Sequence, residues 1–282
     1  MSFRAELPKR IYAYWDQGAA AAPPLVQMNL WRWQALNPDW EMIVFDEDSL
    51  HTAIASKHVM QNVPTRQAMS DFLRVNLLAQ FGGVWVDASL YPSRPLEDWL
   101  YDYVDRQPFF AFSQPAHDRL ISSWFLASVA PCSLVSRWLE VCTEFWSQPR
   151  NLHEEPSRET GKMVLPCQPW SVIAADLAAT FNSGKAPLQF PYFWFHYLFE
   201  HVVRTDETAK KVWAHCDRLP AEPCHTLQLS FKARPTIASP EITQILCTAP
   251  VHKLDWRMNL DNTQILELRT RYPTTTHMHS GT

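Results

Sequence analysis

Glycine is scarce in this chain, and its placement is the strongest single constraint on the fold. Only six occur in 282 residues, and two of them are adjacent, at Gly82-Gly83. In a glycine-poor chain such a pair marks backbone that needs a conformation closed to other residues. It separates two patterned segments. Thr65 to Phe81 places Ala68, Phe72, Val75 and Leu78 on one helical face, widened by Leu73, Leu77 and Phe81. Gly82 stands where a left-handed cap closes a helix. Val84-Trp85-Val86 then reads as a short strand with Asp87 at its end. The same scarcity leaves no GxGxxG fingerprint and no P-loop.

The segments before this unit alternate in type. Arg10 to Trp15 reads as a buried strand ended by Asp16-Gln17-Gly18. Pro24 suits the first turn of a helix, Leu25 to Leu36 has helical spacing, and Asn37-Pro38-Asp39 breaks it. Glu41 to Phe45 is a second strand, and Asp48-Ser49 opens another helical stretch. This alternation predicts an α/β fold with parallel strands. Further on, Phe109 to Phe112 and Trp124 to Val129 read as strands. Leu134 to Trp146, Trp170 to Phe181 and Tyr192 to Val203 read as helices. Ser147 to Gln168 reads as a polar surface excursion. One domain over 1–282 is expected, with 1–110 as one half, 111–270 as the other and 271–282 as a mobile tail.

Composition removes several classes. The chain is 46% hydrophobic and 19% charged, as globular proteins are. Net charge is −4 with no Lys/Arg run, so nucleic acid is not an expected partner. No stretch reaches the ~18 apolar residues of a membrane span, and MSFRAELPKR lacks the apolar core of a secretory leader. A cytoplasmic location is therefore expected. Cys132, Cys142, Cys167, Cys216, Cys224 and Cys247 form no CxxC pair, so reduced thiols are expected. Thirteen Trp and 15 Phe fill a core or supply flat faces for sugars.

Chemistry concentrates in Ser70-Asp71-Phe72-Leu73-Arg74 and in the run from Phe81 to Ser89. A helix from Asp71 to Phe81 rises about 15 Å, and the returning strand covers roughly 10 Å. Asp71 and Asp87 can thus meet at the carboxyl edge of the sheet, where open α/β folds bind ligands. Asp71 and Arg74 are i,i+3 and face each other, a pairing able to grip sugar hydroxyls. Asp87 can hold a divalent cation that neutralises a diphosphate leaving group. Taken singly, such a pair is an ordinary surface contact and such an Asp an ordinary turn residue. Their conjunction around the glycine pair is what points to a site.

SDFLR…FGGVWVDAS resembles the donor-site signature of glycosyltransferase family 32, in its capsular polysaccharide branch. PKRIYAYWDQG, WRWQALNPDWEMIVFDEDSL, ISSWFLAS, YFWFHYLF and PVHKLDW resemble further blocks of that branch. The resemblance implies a GT-A type fold, a single domain with a mixed, mainly parallel sheet, and retaining transfer from a nucleotide sugar, UDP-linked as first choice. It implies that Trp15 stacks on the donor base and that Asp71 and Arg74 contact the transferred sugar. Asp87 matches the first acid of a DxD motif, touching ribose and metal. Ser70 and Gly83 lie in the same signature and are assigned to the donor site with them.

The chain departs from DxD at Ser89, whose hydroxyl is a weaker cation ligand than a carboxylate. His252 is the candidate for a further metal ligand, with Mn²⁺ or Mg²⁺ as the expected cofactor, and Lys253 for a diphosphate contact. A lone His or Lys is otherwise a structural or surface residue. His196 and Glu200 are i,i+4 on an aromatic helix, where packing is the preferred explanation and the acceptor side the functional one. His277 and His279 carry no expected role. The implied acceptor is an oligosaccharide or lipid-linked glycan of a bacterial surface, which would bring the chain to the inner membrane face as a peripheral protein; a protein acceptor stays open. The rival readings are a non-catalytic nucleotide-sugar binder with an eroded motif, and a metal-dependent phosphate-ester hydrolase.

Overall fold

The structure is a computed structural model and describes residues 6–105, 107–157, 162–164, 188–234, 239–258 and 260–270. The helix expected over 170–181, Cys167, and the tail with His277 and His279 lie outside the described residues.

Strands β1 (Arg10–Tyr14), β2 (Glu41–Phe45) and β3 (Gly83–Val86) run parallel, with β1 in the middle. β4 (Leu90–Pro92) leaves the sheet. β5 (Phe109–Ala116) and β6 (Arg119–Ser128) form a long hairpin, and β6 runs antiparallel to both β3 and β5. The sheet order is β2-β1-β3-β6-β5. β6 alone is reversed, so the sheet is mixed and mainly parallel, as expected. β6 begins at Arg119 rather than Trp124, because pairing with β5 carries a polar opening that has no apolar alternation of its own. β7 (Arg150–Leu152), β8 (Glu155–Pro156), β9 (Met163–Val164) and β10 (Leu188–Phe190) pair outside the sheet, β7 with β10 and β8 with β9.

Alternation along the strands divides two cores. Tyr12, Tyr14 and Trp85 face one; Ile11, Ala13, Val84 and Val86 face the other. The second core holds α1 (Pro24–Leu36), which starts at Pro24 as its spacing predicts. After β2 the chain makes two single turns, α2 (Leu50–Ala53) and α3 (Lys57–Met60), in place of one longer helix. The first core holds α4 (Arg66–Phe81), capped by the Thr65 hydroxyl, which accepts from the Ala68 N–H at 3.1 Å. Beyond the single turn α5 (Tyr101–Val104), α6 (Ser133–Phe145) and the helix Trp194–Thr205 complete that face.

The glycine pair ends α4 differently from a left-handed cap. Gly82 has φ 65° and ψ −164°, and Gly83 has φ 102°. A Cβ on Gly82 would lie 2.8 Å from the Ser128 carbonyl, and one on Gly83 2.8 Å from the Arg10 carbonyl. The pair therefore serves two needs, positive φ and close approach of β6 and β1.

A third cluster joins Leu25 and Met28 of α1, Tyr91 of β4, and the helices Thr226–Ala233, Ser239–Leu246 and Asn262–Thr270. It carries β11 (Val251–Lys253), which pairs antiparallel with β4 and sets Lys253 opposite Leu90 and His252 opposite Tyr91. Among the described residues Cys132, Cys142, Cys216, Cys224 and Cys247 form no disulfide.

Candidate active site

A cleft of about 810 Å³ opens at the carboxyl ends of β1 and β3. Trp15 and Asp16 enter it after β1, and Asp87, Ala88 and Ser89 after β3. The first half of α4 supplies Ser70, Asp71 and Arg74. The helix and strand double back at the glycines, so residues from both ends of this unit meet.

Arg74 is the centre of the arrangement and is only 4% exposed. Its Nη2 lies 3.2 Å from Asp71 Oδ1 and 3.3 Å from Asp87 Oδ1. Nη1 donates to the Ser123 carbonyl at 2.6 Å, Nη2 to Ser70 Oγ at 3.0 Å and Nε to the Ser70 carbonyl at 3.3 Å. The guanidinium rests 4.8 Å from the centre of the Trp85 ring, a cation–π contact. Packed and bonded on every side, Arg74 sets the position of both acids.

The acids differ in state. Burial raises the Asp71 carboxyl to about 7, with Arg74 pulling it down and Asp87 pushing it up. Burial also acts to raise Asp87. The Lys253 ammonium, the Arg74 guanidinium and the Trp85 indole N–H outweigh it and hold Asp87 at about 2. Asp87 is thus a fixed carboxylate, and Asp71 can carry a proton near neutrality. Two acids driven apart in this way suit two different tasks.

Lys253 enters from β11. Its Nζ donates to Asp87 Oδ2 at 3.0 Å and to Ser89 Oγ at 2.7 Å. Those two side chains were the expected cation ligands. With Lys253 bonded to Asp87 Oδ2, and Arg74 and Trp85 facing Oδ1, both carboxylate oxygens already meet donors. Among the described residues no group of three His, Cys, Asp or Glu stands where it could hold a metal ion. A divalent cation needs several oxygen ligands, and the side chains as they stand do not fit one.

His252 does not reach the cleft, which corrects its expected role as a metal ligand. Adjacent residues on a strand point to opposite faces, so with Lys253 turned to Asp87, His252 turns inward. It is 0% exposed, packed beside Tyr91, with Nε2 3.5 Å from the Leu246 carbonyl. Burial lowers it to about 4. Gly83 is also absent from the cleft: it starts β3 against Arg10 and Tyr12, at the far end of the strand. Its part is in the turn, not in the donor site.

Trp15 lines the cleft and meets Trp256 edge to face at 5.6 Å. His196 also lines the cleft. Burial, then Arg119 and Arg74, lower it to about 3, so it is neutral. Glu200 is held by Arg204 at 2.5 Å and does not line the cleft, so His196 and Glu200 form no ligand pair. Arg119 and His225 line the cleft with no signal in the sequence, whereas Tyr192, Phe193 and Trp256, which line it too, lie in the YFWFHYLF and PVHKLDW blocks of the resemblance, where no role falls to them.

Residues 2–154 match the profile of a family described as capsular polysaccharide synthesis protein. The O-glycosyltransferase braB of Annulohypoxylon truncatum is 24% identical over 181 residues, covering 56% of this chain and 43% of its own length. The O-glycosyltransferase PaGT of Phomopsis amygdali is 25% identical over 171 residues, covering 52% and 42%. The chain thus spans less than half the length of these curated relatives. Among solved structures, the PaToxG glycosyltransferase aligns over 93% of this chain and 87% of its own, at 11% identity and a TM-score of 0.40. An active-site mutant of LgtC aligns over 94% and 98%, at 10% identity and a TM-score of 0.40.

Proposed function

Because the chain belongs to the capsular polysaccharide synthesis protein family, we propose that it is a retaining glycosyltransferase moving a sugar from a nucleotide sugar, a UDP-sugar as first choice, to a glycan hydroxyl. One observation carries this reading: Arg74 bridges Asp71 and Asp87 on the floor of a cleft at the carboxyl edge of the sheet. The cleft lies at the upper end of the size range of small-ligand sites, ~300–1,000 Å³, and has room for a nucleotide sugar.

In this reading 1–110 is the nucleotide-sugar half and the later part forms the acceptor wall. The base lies against Trp15, the diphosphate beside Lys253, and the sugar over Asp71 and Arg74. Asp71 Oδ2 has no ion-pair or hydrogen-bond partner among the described residues, which suits a sugar hydroxyl there. Asp87 is held ionised and suits the ribose. Retention proceeds by front-face attack, in which the departing phosphate takes the acceptor proton, so no protein nucleophile is required. Catalysis then rests on position and electrostatics.

The family description supports a surface-polysaccharide acceptor, and the names of the fungal relatives support a hydroxyl as the attacking group. No described helix is long and apolar enough to cross a membrane. A lipid-linked acceptor would bring the chain to the membrane surface as a peripheral protein.

The test is turnover of a panel of nucleotide sugars by the wild-type chain and by Asp71→Asn and Asp87→Asn, with the product anomer read by NMR. One donor should be consumed with its anomeric configuration kept, and both variants should lose most of that activity. Inversion would remove the front-face mechanism. Binding without turnover would favour the non-catalytic reading, and indifference to both substitutions would remove the assigned site.

A further inference from the structure

Building on the donor site proposed above, we infer that Lys253 is a built-in cation, taking the place a divalent metal ion would hold between Asp87 and Ser89, and that this chain handles its diphosphate without metal. The geometry carries the inference. Lys253 Nζ lies 3.0 Å from Asp87 Oδ2 and 2.7 Å from Ser89 Oγ, so it sits between the two side chains within hydrogen-bond distance of both. A metal ion bound to the same two atoms would lie about 2.0–2.6 Å from each, on top of the ammonium. The two cannot coexist there.

Lys253 is not a loose surface side chain that a metal would displace without cost. Its backbone belongs to β11 and pairs with Leu90 of β4, the residue after Ser89. The Leu254 N–H donates to the Ser89 carbonyl at 3.3 Å, so ammonium and hydroxyl are tied through two adjacent backbone segments. The lysine side chain is 22% exposed, leaving part of it open to the cleft. Ser89 fits the same logic. A second carboxylate there would favour a divalent ion, whereas a hydroxyl satisfies an ammonium at hydrogen-bond distance without adding charge.

The remaining charge agrees. Arg66, Arg74, Arg119, Lys253 and Arg257 line the cleft, against Asp16, Asp71, Asp87 and Asp255. Cations therefore outnumber acids among the lining residues by one before any ion is added, a balance that favours an anion.

The chemistry balances with no added reagent. The bond from the anomeric carbon to the phosphate oxygen breaks, and its electron pair stays on that oxygen. The acceptor oxygen bonds to the anomeric carbon, and the acceptor proton passes to the departing phosphate. Lys253 donates a hydrogen bond to the phosphate as its charge grows, remaining an ammonium throughout.

The test uses the full chain, EDTA-treated, titrated calorimetrically with UDP, GDP, ADP and CDP in EDTA and again with Mn²⁺. At least one nucleotide should bind with the same affinity in both buffers. Lys253→Met should weaken that binding in EDTA by about tenfold or more, the loss of one charge-assisted contact. Lys253→Arg, which keeps the charge, should retain most of it, and thermal melts would verify that both variants fold. Binding that appears only with Mn²⁺ overturns the inference and leaves the proposed function standing. Metal-free binding that survives Lys253→Met also overturns it. No nucleotide binding in either buffer overturns the proposed function, and the inference with it.

Discussion

Replacing Arg74 by Met keeps most of the side chain's bulk and removes its charge. Asp87 would keep Lys253 at 3.0 Å and the Trp85 indole N–H at 3.3 Å. Asp71 would keep no counter-ion, since Arg74 is its one ion-pair partner among the described residues. Breaking a buried pair by removing one member costs ~3–5 kcal/mol, and here that cost is tied to pH. The Asp71 carboxyl already titrates at about 7 in the folded chain, and losing Arg74 raises it further. A folded pKa above the unfolded value costs stability as pH climbs past the unfolded value. Each tenfold gain in proton affinity on folding costs ~1.4 kcal/mol once the pH exceeds both values. At about pH 5 Asp71 holds its proton and no charge is stranded; at about pH 8 it must either ionise alone or keep its proton at a cost. Urea unfolding followed by tryptophan fluorescence should therefore show Arg74→Met losing ~3–5 kcal/mol near pH 8 and clearly less near pH 5. Adding Asp71→Asn should recover part of the loss near pH 8 only. An equal loss at both pH values, or a loss under about 1 kcal/mol near pH 8, would refute the buried bridge.

Acid sensitivity should come from buried neutral histidines. His196 and His252 titrate at about 3 and about 4 when folded, below the ordinary value, so the unfolded chain gains protons first and stability falls as pH drops below about 6.5. His252→Phe should flatten that slope in melts taken between about pH 6.5 and 4, and an unchanged slope would count against the assignment. Gly82→Ala would force a Cβ to within 2.8 Å of the Ser128 carbonyl at positive φ; a loss of at least ~1–3 kcal/mol in denaturant unfolding is expected, and a neutral result would contradict the turn as described.

How much of this was legible follows from how local each signal is. β1, β2, α4 and β3 are continuous apolar runs or faces closed by Asp or Gly, and the Asp71/Arg74 spacing lies within one helix. Their meeting with Asp87 follows from helix rise and strand return, so it could be reasoned from length alone. Lys253 could not be placed against Asp87, because its position depends on β11 pairing with β4 across a long stretch of chain. For the same reason His252 and Lys253 were assigned together, although only one of two neighbours on a strand can face the cleft. The partner strand decides which, and local sequence does not. Arg119 reaches the cleft from a polar strand opening whose pairing with β5 has no period of its own to read.

The most direct measurement is a crystal structure of the chain with its preferred nucleotide sugar. The sugar should lie over Asp71 and Arg74, the base against Trp15 and the diphosphate beside Lys253. A donor bound elsewhere on the protein, with Asp71, Arg74 and Asp87 out of reach of it, would contradict the assignment of this cleft.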